Sequence, residues 1–203
     1  VQFANMAEGF GNAAGLSYDA GNGLVLSIGY EGQGEAVGLM TKEGSDAIGA
    51  QIAYTQDAYG VSISYMKVDE HAANNSRDVN GGQLSYTGLN LYYDPDKSNF
   101  PSISAGYEWG KDESPDAVAA LDTSTQWFLG VSWDDWGPGT FGAAIGNRWQ
   151  TLEGQDEEMQ YEAFYDYPVN DSMTITPAIY QKENAAANTD DETGIMVKTS
   201  FSF

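Results

Sequence analysis

The chain ends with the stretch T-G-I-M-V-K-T-S-F-S-F at residues 193–203, and this stretch decides the prediction of the fold. Its residues alternate between two sets, one holding Ile195, Val197, Phe201 and Phe203 and the other Met196, Lys198, Ser200 and Ser202. A period of two is what a β-strand produces, because successive side chains point to opposite faces. The stretch is therefore predicted to be a strand with one apolar and one mostly polar face.

A chain that ends on such a strand, with an aromatic residue in last place, is typical of outer-membrane β-barrels. In that class the last strand closes the barrel and the assembly machinery reads the terminal aromatic. This gives Phe203 the predicted role of assembly signal. A soluble antiparallel sandwich can also end on a strand, so the remainder of the chain has to discriminate between the two.

Composition narrows the class of protein. The chain has no cysteine, which excludes a disulfide framework and cysteine-based metal sites or nucleophiles. It has no run of 18 or more apolar residues, which is the criterion for a transmembrane helix. Strands of a membrane barrel do not meet this criterion, because they alternate apolar with polar residues. A net charge of −22, from 30 acidic against 8 basic residues, argues against a nucleic-acid partner and favours cations near the molecule.

The links between the predicted strands alternate strictly between short and long. The short ones are residues 20–23, 56–58, 94–99, 134–139 and 168–171, and the long ones are acidic or rich in Asn and Asp. Alternate links of an up-and-down meander lie at opposite ends, so the short turns share one end and the long loops the other. Outer-membrane barrels have this asymmetry, and Greek-key sandwiches do not. The prediction is an all-β, antiparallel, up-and-down transmembrane β-barrel with about eleven strands in this chain.

Two strands are predicted to be irregular. Bulges are expected near Gly88, where Leu84 and Tyr86 fall out of phase with Leu89, and at Pro177, which removes a ladder donor.

Bacterial single-chain barrels have an even strand number with both termini at the periplasmic end. We therefore expect residues 1–203 to form the C-terminal part of a larger porin barrel domain, unless residues 1–11 supply a further strand.

The closing hairpin resembles a known family. M-T-I-T-P-A-I-Y-Q at residues 173–181, an Asn/Asp loop and G-I-M-V-K-T-S-F-S-F are similar to the end of cyanobacterial outer-membrane porins, the group related to carbohydrate-selective OprB-type porins. The resemblance implies a barrel of about sixteen strands in the bacterial outer membrane. It implies a trimer in contact with lipid and lipopolysaccharide, which passes inorganic ions and small polar solutes, sugars included.

The resemblance also bears on the N-terminal end. The family carries an S-layer-homology domain that binds a peptidoglycan-linked polymer, and that domain is absent from this chain. If Phe203 closes the last strand, residues 1–11 would be the end of the inward-folded constriction loop. Asn5 and Glu8 would then border the pore.

The polar set of the alternation supplies the predicted pore lining. It consists mainly of Ser, Thr, Asn and Gln, which leave room for water. Its charged members, the pore-lining candidates, are Glu31, Glu108, Arg148, Glu162, Asp166 and Lys198. Because acids outnumber bases among them, the channel is expected to prefer cations.

The constellations of Ser-His-Asp catalysis and of His-rich zinc sites cannot be assembled from the sequence. His71 is the single histidine, in a polar loop, and neither catalytic residues nor a cofactor is expected. Acidic groups such as residues 156–158 and 190–192 lack the spacing of an EF-hand calcium loop. Two alternatives to the porin stay open: a non-transport structural or adhesin barrel whose acidic loops bind a partner or Ca²⁺, and a soluble carbohydrate-binding β-sandwich.

Overall fold

A computed structural model describes residues 12–32, 45–70, 82–95, 100–113, 123–147, 151–152, 154–184 and 190–202. The strands in these ranges are β1 Asn12–Asp19, β2 Leu24–Gly32, β3 Asp46–Gln56, β4 Tyr59–Glu70, β5 Gly82–Tyr93, β6 Ser102–Asp112, β7 Thr123–Trp136, β8 Gly139–Asn147, β9 Thr151–Leu152, β10 Met159–Asn170, β11 Met173–Lys182 and β12 Glu192–Phe201. Within the same ranges there is no helix long and apolar enough to cross a membrane.

Eleven of the strands follow one another in chain order in a single antiparallel sheet, from β1 to β12. This order confirms the predicted up-and-down meander and its strand count. The two-residue strand β9 lies off this order and pairs with β7. It falls in a segment that the sequence assigned to an acidic link. Residues 1–11, for which the sequence leaves open the end of the constriction loop or a further strand, lie outside the described residues.

The chain divides into two compact units. Unit 1 comprises Val1–Asn90, Gly106–Thr125 and Leu152–Gly154, and unit 2 comprises Leu91–Ala105, Gln126–Thr151 and Gln155–Phe203. Strands β1 to β4 belong to unit 1, and β8, β10, β11 and β12 belong to unit 2.

The strands of unit 1 expose their apolar side chains. In β3, Ile48 and Ile52 are exposed by 45% and 52%, whereas Ala47, next to Ile48, is buried. On the face that holds Ala47, Glu31 retains only 3% of its exposure and Glu108 only 5%. We call the face with the exposed apolar side chains the apolar face, and the opposite one the polar face. This distribution is the reverse of that in a water-soluble sheet, whose apolar face packs on a core.

Unit 2 has the same two faces. Ile179 in β11 is 52% exposed and Ile195 in β12 is 80% exposed, on the apolar face. Thr176 and Ala178, which alternate with Ile179 along β11, are buried on the polar face. The period-two pattern read from the sequence therefore corresponds to a real separation of side chains in both units.

One part of the polar face in unit 1 is apolar. Ala47, Met66, Val68 and Tyr86 are buried together, and Leu84 packs against them. Tyr86 is buried on the polar face and Leu89 is exposed on the apolar face. Their different positions in the alternation are therefore explained without the bulge predicted near Gly88. The bulge itself stays a prediction, and at this cluster the polar face carries apolar side chains beside the mainly polar residues predicted to line it.

The bulge predicted at Pro177 is wrong. Every residue of β11 from Met173 to Lys182 pairs in one unbroken register with β12, with Pro177 opposite Val197. On the other side, Phe164 pairs with Ala178 and Tyr167 with Ile175, so the offset is the same before and after the proline. The sheet accommodates the missing N–H by leaving gaps in the β10–β11 ladder, and no extra residue is inserted.

Two predicted turns are shorter in the structure. Strand β7 continues to Trp136, so the predicted turn at residues 134–139 shrinks to Gly137 and Pro138. A register shift between Trp133 and Trp136 allows this extension, and Asp135 adopts a positive φ of 55° within it. Likewise β10 continues to Asn170 with a shift after Pro168. Bulges at the ends of the strands therefore replace part of the predicted loops.

The turn between β1 and β2 shows why glycine is needed at particular positions. Gly21 and Gly23 have φ values of 77° and 87°, a region that side chains with a Cβ rarely adopt. The Gly23 carbonyl accepts a hydrogen bond from the Thr55 N–H at 2.8 Å. A Cβ at Gly23 would lie 2.0 Å from the Thr55 carbonyl oxygen, whereas one at Gly21 would meet nothing within 4 Å.

This difference gives a matched pair of variants. Gly21→Ala should cost only backbone strain, on the order of 1 to 3 kcal/mol. Gly23→Ala should destabilise the fold clearly more, because the β1–β2 turn must also move away from Thr55 of β3. Equilibrium urea unfolding in detergent micelles measures both. Equal losses of unfolding free energy for the two variants would contradict the described turn.

Candidate functional site

A row of polar side chains crosses four neighbouring strands on the polar face of unit 2. Asp166 of β10 lies directly opposite Thr140 of β8, and Thr176 of β11 lies directly opposite Lys198 of β12. The Thr176 hydroxyl joins the two pairs by donating a hydrogen bond to the Asp166 carboxylate. The row therefore presents a carboxylate and an ammonium group with hydroxyls beside and between them.

A second row lies next to the first, toward the short turns. Pro168, Thr174 and Ser200 are consecutive cross-strand partners on β10, β11 and β12. At the β7–β8 turn the Thr140 hydroxyl donates to the Asp134 carboxylate at 3.0 Å. Each of the two aspartates thus accepts a hydrogen bond from a threonine, which restrains its carboxylate without neutralising the charge.

These rows line a cavity of about 540 Å³. Its wall is formed by Asp134, Asp135, Pro138, Gly139, Thr140, Asp166, Pro168, Thr174, Thr176, Lys198 and Ser200. Since one water molecule takes up roughly 30 Å³ of liquid volume, the cavity has room for a hydrated ion or a small polar solute. Carboxylates, hydroxyls and one ammonium group are suited to replacing part of the hydration of such a solute.

Glu162 continues the polar face along β10. It lies four residues from Asp166, about 13 Å along the strand, and is half-buried. It faces Tyr180 across the β10–β11 ladder. At the far end of β11 the Lys182 ammonium lies 4.0 Å from the Glu192 carboxylate. This lysine is therefore largely compensated, whereas the Lys198 side chain is exposed.

Unit 1 contributes two of the predicted pore-lining acids, Glu31 in β2 and Glu108 in β6. Both are buried on the polar face. In the strands between them, the Ser64 hydroxyl of β4 donates to the Gly88 carbonyl of β5 at 3.5 Å, so this face also contains buried neutral polar groups. Glu31 lies directly opposite Ala47, a member of the buried apolar cluster of this face, so this acid is buried beside apolar side chains.

Several predicted site residues lie outside the described residues. These are the pore-lining candidate Arg148, the constriction-loop candidates Asn5 and Glu8, the assembly signal Phe203 and the loop histidine His71. Their roles stay predictions. The pore-lining candidates among the described residues are Glu31, Glu108, Glu162, Asp166 and Lys198.

The acidic groups at the strand ends have partners of their own. Glu113 lies 4.0 Å from Lys67 and 3.8 Å from Lys111. Asn184 donates its N–H to Asp191 at 3.2 Å and its side-chain amide to the Asp190 carbonyl at 2.7 Å. Within the part of the chain that the structure describes, no group of three acids or histidines is arranged to hold a metal ion.

Sequence reasoning missed Asp134 and Thr140 as members of this site, because both were placed in a turn or at its edge. The signal was present, since Asp134 continues the alternation of Ser132 along β7. The turn-like composition of Asp-Asp-Trp-Gly-Pro-Gly at residues 134–139 nevertheless favoured the interpretation as a turn.

Comparison with protein families gives one match that covers almost all of the chain. The model of a family described as Gram-negative porin matches residues 7–202. Comparison with curated proteins gave no match.

The hydrogen bond between Thr176 and Asp166 can be tested by two variants. Thr176→Val keeps the shape and removes the hydroxyl, and should lower the free energy of unfolding by about 1.5 to 3 kcal/mol, because the acceptor is charged. Thr176→Ser keeps the donor and should retain most of that stability. Urea unfolding in micelles measures the difference. If the serine variant loses as much as the valine variant, the hydroxyl does not support Asp166.

Proposed function

Because this chain belongs to the Gram-negative porin family, we propose that it forms a passive diffusion channel for inorganic ions and small polar solutes, with a preference for cations. The family places the protein in the bacterial outer membrane, as a channel protein. Strand lengths agree with this, since β3, β4, β6 and β10 have 11 or 12 residues. A tilted strand needs about 9 to 11 residues to cross the hydrocarbon layer.

The two faces of the sheet give the proposal its geometry. The apolar face, with side chains such as Ile52 and Ile179 more than half exposed, is suited to contact with lipid chains. The polar face, with Asp166, Thr176 and Lys198, is suited to an aqueous lumen. Lipid on one side and water on the other stabilise both sets of side chains without a packed core.

The observation that carries the cation preference is the excess of acids on the polar face. Among the pore-lining candidates that the structure describes, Glu31, Glu108, Glu162 and Asp166 stand against Lys198. Charged side chains along an aqueous pore raise the concentration of counter-ions and exclude ions of like charge. The overall charge of −22 acts in the same direction on approaching solutes.

Finer assignments rest on the closing hairpin. Its resemblance to cyanobacterial OprB-type porins supports a homotrimer embedded in lipid and lipopolysaccharide, with sugars among the solutes. The hydroxyl-rich rows of β11 and β12 favour this class of solute, because hydroxyl and carboxylate groups exchange hydrogen bonds readily with sugars.

The proposed selectivity is tested by reversal potentials in planar bilayers under a potassium chloride gradient. We expect stable channels of ohmic conductance with a cation-selective reversal potential. The selectivity should rise as the salt concentration falls, since fewer mobile ions screen the lining. Anion selectivity would overturn the preference. A protein that inserts but forms no channel would instead support the non-transport barrel.

Charge variants assign the selectivity to the polar face. Asp166→Asn should shift the reversal potential toward zero, and Lys198→Gln should shift it further toward cations. Asp57→Asn removes one carboxylate from the exposed β3–β4 turn and serves as the matched control. An effect of Asp57→Asn as large as that of Asp166→Asn would show that the total charge, and not the lining, determines the selectivity.

A further inference from the structure

Three aromatic rings on the polar face lie directly over glycines of a neighbouring strand. A Cβ added at Gly142 would lie 2.2 Å from Phe164 Cζ, and one at Gly194 would lie 2.3 Å from Tyr180 Cζ. In unit 1, a Cβ at Gly110 would lie 2.4 Å from Ser124 Oγ and 2.8 Å from Tyr86 Cε1. Real Cβ atoms do not approach ring carbons so closely, so each ring occupies space that only glycine leaves open.

The register explains how the rings reach the glycines in unit 2. Gly142 of β8 is directly opposite Phe164 of β10, and Gly194 of β12 is directly opposite Tyr180 of β11. Directly opposite residues of an antiparallel pair have Cβ atoms only about 4.5 to 5.5 Å apart. An aromatic side chain can therefore bend sideways and lie flat over its partner when that partner has no side chain.

The other neighbouring strand does not offer the same space. Phe164 faces Ala178 on β11, and Tyr180 faces Glu162 on β10. Both of those residues carry a Cβ, and Ala178 is already buried. A ring displaced from its glycine therefore has to rise away from the sheet on the polar side.

Tyr180 has two additional contacts that hold its ring down. Its hydroxyl donates to the Glu192 carboxylate at 2.9 Å, and the Lys182 ammonium lies 4.7 Å from the ring centroid. Cation–π contact and a charge-assisted hydrogen bond both favour the flat orientation. The ring, its glycine and the ion pair thus form one local unit at the end of β11.

We propose that these glycine–aromatic pairs set the width of the diffusion channel, by keeping bulky rings against the wall and out of the lumen. The inference rests on the proposed function, because it takes the polar face as the lumen. Glycine contributes here through the space that it leaves, and the aromatic ring covers backbone that would otherwise be exposed to water. A side chain at any of these glycines should narrow the channel by moving a ring, an effect much larger than the volume of the added methyl group.

The chain offers an internal control on the same face. Gly29 of β2 alternates with the exposed Ile28, and a Cβ built there would meet nothing within 4 Å. Gly29→Ala adds the same methyl group and the same change in backbone entropy as the test variants, but it displaces no ring.

The test compares unitary conductances in planar bilayers for the full chain and its Gly142→Ala, Gly194→Ala and Gly29→Ala variants. We expect Gly142→Ala and Gly194→Ala each to lower the unitary conductance by roughly a tenth or more, because a whole aromatic side chain enters the lumen. Gly29→Ala should leave the conductance unchanged. Equal conductance in all variants that form channels would overturn the inference.

A double variant keeps the test decisive if the single variants fold poorly. Phe164→Ala alone should leave the conductance at or above that of the unmodified chain. Combined as Gly142→Ala with Phe164→Ala, it should remove the loss caused by Gly142→Ala, since no ring remains to be displaced. A loss that persists in the double variant would show that the ring is not responsible. Failure of the unmodified chain to form channels would refute the proposed function itself, an outcome distinct from either of these.

Discussion

Backbone hydrogen bonds between neighbouring strands hold each side chain on one of two faces, and the rest of the structure depends on how this chain fills them. Ile48 and Ile52 stand exposed on one face, while Glu31 and Glu108 are buried on the other. In water such a sheet would be unstable, because its large apolar side chains lie outside. In a membrane the same arrangement is favourable, since lipid covers the apolar face and cross-strand hydrogen bonds satisfy most of the backbone in the described strands.

The polar face combines charge with restraint. Asp166 and Asp134 each accept a hydrogen bond from a threonine, so their carboxylates keep both their charge and a defined position. Lys198 shares the same row across one intervening strand. Aromatic rings that lie flat over glycines stay close to the sheet and do not project into the lumen. The threonine hydroxyls fix the positions of the charged groups, and the glycines keep the channel wide by leaving room for the rings. These two properties belong to the same polar face, and together they explain how few residue types can define a channel.

The sequence predicts the fold well where the physics is local. Strict alternation in segments such as residues 48–54 and 193–203 determines strand faces, and short turns determine the order of the strands. It fails where a competing local signal is strong. Asp134 and Thr140 were not recognised as site residues, because the surrounding composition is that of a turn. Pro177 was expected to distort the strand register, which it leaves intact. The pairing of Phe164 with Gly142 could not be predicted, because it depends on cross-strand register rather than on sequence spacing.

The most direct test of the two-faced sheet is a spin-label scan along β3 in lipid vesicles. The chain has no cysteine, so single cysteines can be introduced at successive positions from 47 to 54 without a background signal. We predict that labels at Ile48, Ala50, Ile52 and Tyr54 collide preferentially with oxygen dissolved in the lipid. Labels at Gly49, Gln51 and Ala53 should collide with a water-soluble nickel complex. Accessibility without a period of two, or with the two sets reversed, would contradict the account.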